Sequence, residues 1–274
     1  MSWDERYPPQ EALRAEASAM ADAVVEAVLG TVGRERIRDI YLKGSAFKRW
    51  ESPLDYVPEL SDVDVHLWLE DEDDARFTRG MRAAAELSRG IESRFHERVP
   101  EPLHFPRPQL VIVNDLLNDP DLVASPPATM HSLYGKPYPT PRQLSPAEIR
   151  ATDRARLLGH APFLGSLPGR VMDRPGRHLT PLLREMSWRV SPVASRCLSV
   201  LGRDYEEAWG QNRTRLIAAL SEAGQGAIAA ALTRYYLRSW DFFLSGHEDG
   251  TAATDALVAG AEALQAGAAL AARE

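Results

Sequence analysis

The chain has 274 residues, 44% of them apolar, with a formal net charge of −7. This supports a packed core in one large domain or two of ordinary size, and the acidic balance argues against nonspecific nucleic-acid binding, which needs a basic face. The single Cys197 excludes an intramolecular disulfide and a cysteine-based zinc site. No stretch approaches the roughly 18 apolar residues of a membrane span. The start, Ser2-Trp-Asp-Glu-Arg6, lacks the basic and apolar regions of a signal peptide. A cytoplasmic protein without a membrane partner is the expectation.

In chain order, residues 10–30 carry Ala15, Met20, Val24 and Val28 at helical spacing, and Gly30 and Gly33 stop that helix. Residues 37–43 form an apolar first strand closed by Gly44-Ser45. Residues 45–50 predict a short helix whose N-terminus faces this turn. The stretch 51–59, with two prolines, reads as a loop insertion. Asp62-Val-Asp64 then opens a second strand, Val-His-Leu-Trp-Leu69. Side chains alternate along a strand, so Asp62, Asp64 and His66 share one face. Two carboxylates converging on one point make a hard, oxygen-rich site suited to Mg²⁺. A glycine before them lets backbone N–H groups approach a phosphate. A phosphate cradle beside a magnesium site is the equipment of phosphoryl or nucleotidyl transfer.

A long helix is predicted over 70–98. Its acidic opening, 70–74, suits the helix macrodipole better than a metal. Residues 110–114 read as a third strand. Residues 119–146 hold seven prolines and contain His131-Ser-Leu-Tyr-Gly-Lys136. From Ser145 the pattern is helical, starting with the capping box Ser145-Pro-Ala-Glu148. Helices follow over 177–202, broken by Pro192 near Val190, then 205–223, 227–246 and the Ala-rich 251–273. Trp188, Trp209 and Trp240 read chiefly as core. Arg170, Arg174, Arg177, His178, Arg184 and Arg189 cluster in sequence, either as phosphate contacts or as members of salt bridges. There is no P-loop, dinucleotide fingerprint, nucleophile elbow or His-Glu-x-x-His pair.

Over residues 35–136 this pattern resembles the DNA polymerase beta-like nucleotidyltransferase superfamily. That signature is an apolar strand, Gly-Ser, a helix, then Asp-x-Asp on the next strand, with a third carboxylate on a later one. Gly44, Ser45, Asp62 and Asp64 match it, across a gap of sixteen residues that is longer than in the family. The small size and helical second half are most similar to the bacterial minimal and aminoglycoside nucleotidyltransferases. The third acid is replaced by Gln109, whose neutral amide can contact a metal but cannot take a proton. Asp115 has the same strand parity but lies about 20 Å further along. Glu101, His104, Asp153 and Glu185 are further candidates for a base.

The resemblance implies an α+β protein: a small mixed-sheet nucleotidyltransferase-like domain (1–140) followed by an all-helical bundle domain (141–274). It implies one or two Mg²⁺ ions, or Mn²⁺, on Asp62 and Asp64. Gly44 and Ser45 would hold the β- and γ-phosphates of an NTP, ATP foremost. Lys43, Lys48, Arg49 and Lys136 are further phosphate contacts, and Gln109 joins Asp62 and Asp64 in the catalytic set. The implied reaction moves an NMP to a hydroxyl with release of pyrophosphate. A small-molecule acceptor is favoured over a protein side chain or an RNA end. The alternative is a degenerate nucleotide-binding or regulatory protein, antitoxin-like, with a protein partner.

Overall fold

The computed structural model describes residues 2–71, 79–117, 119, 122–136 and 144–274. Among the described residues the fold is α+β, with 63% helix and a four-stranded mixed sheet. Among the described residues, no helix is long and apolar enough to cross a membrane. The chain divides into two compact units. One comprises the described residues of Glu5–Lys48 and Ser61–Gln143. The other comprises Met1–Asp4, Arg49–Leu60 and Leu144–Glu274.

The sheet unit contains α1 (Gln10–Val32), β1 (Ile37–Lys43), β2 (Asp62–Leu69), α2 (Met81–Arg98), β3 (Arg107–Ile112), the short α3 (Asn114–Leu117) and β4 (His131–Gly135). Leu13, Ala17, Met20, Val24 and Val28 recur three or four residues apart on α1 and are buried, which gives the helix one apolar stripe. Gly33, at φ 96°, ends it. Leu87, Ile91 and Phe95 make the matching stripe on α2. From Ala17 onward, the α1 stripe and that of α2 pack with Ile40 and Leu42 of β1 and Val63, Val65 and Leu67 of β2 in one core. Alternation therefore turns Asp39, Tyr41, Lys43, Asp62, Asp64 and His66 to the opposite face.

Strand order is β3-β2-β1-β4. β1 is antiparallel to β2 and β4, and β2 is parallel to β3. The first two strands have the bounds that their apolar runs predict. The third starts earlier, at Arg107, and ends before Asn114, whose side chain bonds both backbone groups of Leu69 at 3.0 Å. Glu70 does not open a helix. Its N–H donates to Arg36 O and its carboxylate accepts from Arg38 Nε at 2.6 Å. The rest of the acidic run, 72–74, lies outside the described residues.

Residues 45–50 form a turn rather than the expected helix. The N–H groups of Phe47 and Lys48 both fold back on Gly44 O, at 3.3 and 3.2 Å. From Arg49 the chain belongs to the helical unit, so there is no length left for a helix. The stretch that reads as a loop insertion is a built part of that unit. Pro53–Asp55 is a 3-10 turn capped by Ser52, and Pro53, Leu54 and Asp55 are buried. Asp55 accepts from Glu51 N (2.7 Å), Ser52 N (3.1 Å), Thr214 N (2.8 Å) and Thr214 Oγ1 (2.7 Å). Trp50 stacks on Tyr56 at 4.3 Å, and Trp240 Nε1 donates to Pro53 O at 2.8 Å.

The helices of this unit are α4 (Pro146–Leu158), α5 (Ala161–Met172), α6 (Thr180–Val190), α7 (Val193–Val200), α8 (Tyr205–Gly210), α9 (Arg213–Glu222), α10 (Gly226–Leu244) and α11 (Gly250–Arg273). The Ser145 capping box forms as its sequence predicts. The single helix expected over 205–223 is two, because Gln211 is extended and Asn212 Oδ1 caps the next helix by accepting from Arg215 N at 3.0 Å. The Ala-rich α11 packs closely against α10, α4, α6 and α7. A Cβ on Gly260 would sit 2.9 Å from Met186, so only glycine allows that approach.

Candidate active site

The sheet's connectivity gathers the polar residues at one end. β1 runs toward Gly44 while antiparallel β2 starts at Asp62, so Lys43 faces Asp64 across the ladder. Parallel β3 starts beside β2, pairing Arg107 with Asp62 and Gln109 with Asp64. One strand end and two strand starts thus supply Lys43, Gly44, Asp62, Asp64, Arg107 and Gln109.

Gly44 has φ 87°, a conformation that costs an L side chain about 1–2 kcal/mol. A Cβ there would also lie 2.0 Å from Asp64 Oδ2. The backbone geometry favours glycine, and a Cβ would push the Asp64 carboxylate aside. The Gly-Ser and Asp-x-Asp elements of the sequence are therefore in direct contact.

The amide of Gln109, with its nitrogen toward the carboxylates, donates to Asp64 Oδ1 at 2.9 Å and to Asp62 Oδ2 at 3.0 Å. The two acceptor oxygens are thus no more than about 6 Å apart, where two unit charges repel by about 3 kcal/mol at an effective dielectric of 20. Arg107 answers part of this: its Nη2 contacts Asp62 Oδ1. Asp62 is buried and Asp64 half-buried. Gln109 bridges the two carboxylates through one neutral amide. Among the described residues, no group of three His, Cys, Asp or Glu side chains could hold a metal ion. Two carboxylates with an amide able to turn its carbonyl inward suit a hard cation such as Mg²⁺ in chemistry, though with fewer charges than three acids would offer.

Burial lowers the Lys43 ammonium below the usual lysine range, and Asp64 opposes that shift. Burial and then the Lys43 charge push His66 down to about 2, so its imidazole is neutral at ordinary pH. The Tyr41 hydroxyl and His66 Nδ1 form a hydrogen bond at 3.2 Å. Tyr41, Lys43 and His66 line a cavity of ≈ 30 Å³, walled by Val113, Leu116 and Met130 among others. That is room for water and too little for a nucleobase.

The remaining expected residues are distributed differently. Ser45 lies in the turn after Gly44. Lys48 is bound into it through its N–H, and its carbonyl accepts from Arg14 Nη1 at 3.0 Å. Arg49 belongs to the helical unit, with its side chain 81% exposed beside Glu51. Lys136 is not brought to the cradle. Its N–H bonds Arg38 O, about 16 Å back along β1 from Lys43.

Of the alternative bases, His104, Asp153 and Glu185 are each engaged within their own unit. His104 is buried against Glu16. Asp153 accepts from Trp209 Nε1 at 3.2 Å in the helical unit, and Glu185 pairs with Arg170 and Arg189. Asp115 falls in α3, beyond the end of β3. Of the clustered arginines, Arg184 reaches Glu59 O at 3.1 Å. Arg174, Arg177 and His178 line an open surface hollow with Asp173 and Pro181.

Arg107 is the residue that sequence reasoning missed. It lies two positions before Gln109, the same spacing that links Asp62 to Asp64, so alternation along β3 would have found it. Comparisons with models of known families, with curated proteins and with solved structures found no match.

Proposed function

We propose that the chain is a Mg²⁺-dependent nucleotidyltransferase that moves an NMP from an NTP, ATP foremost, to a hydroxyl acceptor. The observation that carries this reading is the contact of the Gly44 turn with an aspartate pair bridged by Gln109 at 2.9 and 3.0 Å. Strand pairing, rather than loop chance, sets that arrangement. In this reading the sheet unit is nucleotidyltransferase-like and the helical unit is its companion domain, acting inside the cell.

Gly44 and Ser45 offer backbone N–H groups to the β- and γ-phosphates, and Lys43 and Lys48 add positive charge beside them. Asp62 and Asp64 would hold the cation, and the Gln109 amide, turned over, would offer its carbonyl as a neutral ligand. Mg²⁺, or Mn²⁺ in its place, supplies charge neutralisation on the leaving pyrophosphate when bound. The acceptor oxygen attacks the α-phosphorus, the bond to the bridging oxygen of the β-phosphate breaks, and pyrophosphate leaves with that electron pair. Gln109 takes no proton, so the hydroxyl proton leaves to water. The acidic chain favours a small, cationic acceptor over an RNA end.

A second reading is a nucleotide-binding regulatory protein that keeps the cradle without turnover. It is favoured by Gln109 in the third position and by Arg107 on Asp62. Pyrophosphate release with labelled ATP, GTP, CTP and UTP, with Mg²⁺ and a metabolite extract, separates the two. Turnover that falls at least a thousandfold in Asp62→Ala/Asp64→Ala supports the transferase. Metal-dependent nucleotide binding without turnover supports the regulator.

A further inference from the structure

Strand β3 brings a cation and an amide donor to the aspartate pair. Arg107 faces Asp62 across the parallel ladder, and its guanidinium contacts the buried carboxylate. The Asp62 side chain is 7% exposed and that of Arg107 25%, so the contact is largely withdrawn from water. A guanidinium keeps its charge at any ordinary pH. Gln109, two residues on, is a neutral group bridging both aspartates.

These two substitutions for metal-site chemistry compensate each other. An amide in place of a third acid removes one negative charge from the site. A guanidinium in place of a divalent ion removes one positive charge. The net charge offered to a triphosphate is then the same as with three acids and two divalent ions. Resting on the nucleotidyltransferase reading, we propose that the site is built for a single divalent cation on Asp62 and Asp64, with the Arg107 guanidinium fixed where a second cation would stand. The ion that binds displaces the Gln109 N–H contacts, and Arg107 stays on Asp62. Arg107 thereby acts as a permanent cation toward the substrate's phosphates, and Gln109 keeps the second metal position too weak to fill.

The test counts Mn²⁺ ions by the electron paramagnetic resonance signal of the free ion, using Mn²⁺ alone and the full chain. Wild type should bind one Mn²⁺, Asp62→Asn/Asp64→Asn none, and Arg107→Ala/Gln109→Glu two. Should the last variant fail to fold by circular dichroism, Arg107→Met/Gln109→Glu keeps the apolar stem in place and is read the same way. Two ions in wild type would overturn the proposal, as would one ion in a folded double variant. No site-specific Mn²⁺ in wild type, or a count unchanged in Asp62→Asn/Asp64→Asn, would overturn both the proposal and the reading of the site beneath it.

Discussion

Asp55 in the helical unit and the Asp62–Asp64 pair in the sheet unit are close in sequence, yet their surroundings differ in kind. Asp55 is one carboxylate among donors: three backbone N–H groups and the Thr214 hydroxyl converge on it. Its charge is dispersed over bonds that tie residues 51–55 to α9. Asp62 and Asp64 instead share the Gln109 amide, with Arg107 on Asp62 and Lys43 across the ladder from Asp64. The first arrangement satisfies a fold. The second gathers two carboxylates, one amide and two cations at strand ends. The contrast sets a carboxylate that ties two segments together apart from a pair drawn to one end of the sheet.

Three substitutions test that contrast, in order of expected effect. Asp55→Ala should lower stability by about 3 kcal/mol, since it leaves one buried and three half-buried donors without this acceptor. A urea titration of wild type and variant reads this directly, and a change within 0.5 kcal/mol, the usual range of a surface substitution, would mean that Asp55 is no clasp. Gly44→Ala should cost about 1–2 kcal/mol from the positive φ alone. Because the new Cβ must also displace the Asp64 carboxylate, it should weaken nucleotide binding at least tenfold. Retained binding in a folded Gly44→Ala protein would separate the turn from the aspartates.

The smallest effect concerns Asp39, buried on the same sheet face as the site. Burial raises its carboxyl, while Ser132 and the Ile40 backbone pull the other way. A raised value means that the folded state holds the proton more tightly than the unfolded chain. The associated stability is therefore complete below the unfolded value near 3.8 and is lost as pH rises through the folded one. Asp39→Asn, which stays uncharged, should gain in melting temperature relative to wild type as pH rises from 4 to 7. A constant difference across that range would contradict the assignment.

Much of the sheet unit is written in short-range pattern. β1 and β2 take the bounds of their apolar runs, and α1 follows its three-and-four spacing. The approach of Gly44 to Asp64 follows from the antiparallel pairing of two strands that alternation alone identifies. The rest depends on partners distant in sequence. The turn at 45–48 and the 3-10 turn at Pro53–Asp55 are set by where the chain goes next, with Thr214 and Trp240 holding the latter. The break at Gln211 rests on a side-chain cap by Asn212 that competes with an unbroken helix. Lys136 looked like a phosphate contact because its motif was read without its register, and the pairing of Asp39 with Gly135 carries it to the far end of β1.

The central claim is that the Gly44 turn and the Asp62–Asp64 pair form one metal-dependent nucleotide site. The most direct measurement is calorimetric titration of a non-hydrolysable ATP analogue with Mg²⁺ into wild type and Asp62→Asn/Asp64→Asn, each with and without a chelator. The account predicts one nucleotide per wild-type chain, bound at least tenfold more weakly in the variant or once the metal is removed. Binding that is absent from the wild type, or that ignores both the metal and the two aspartates, would contradict it.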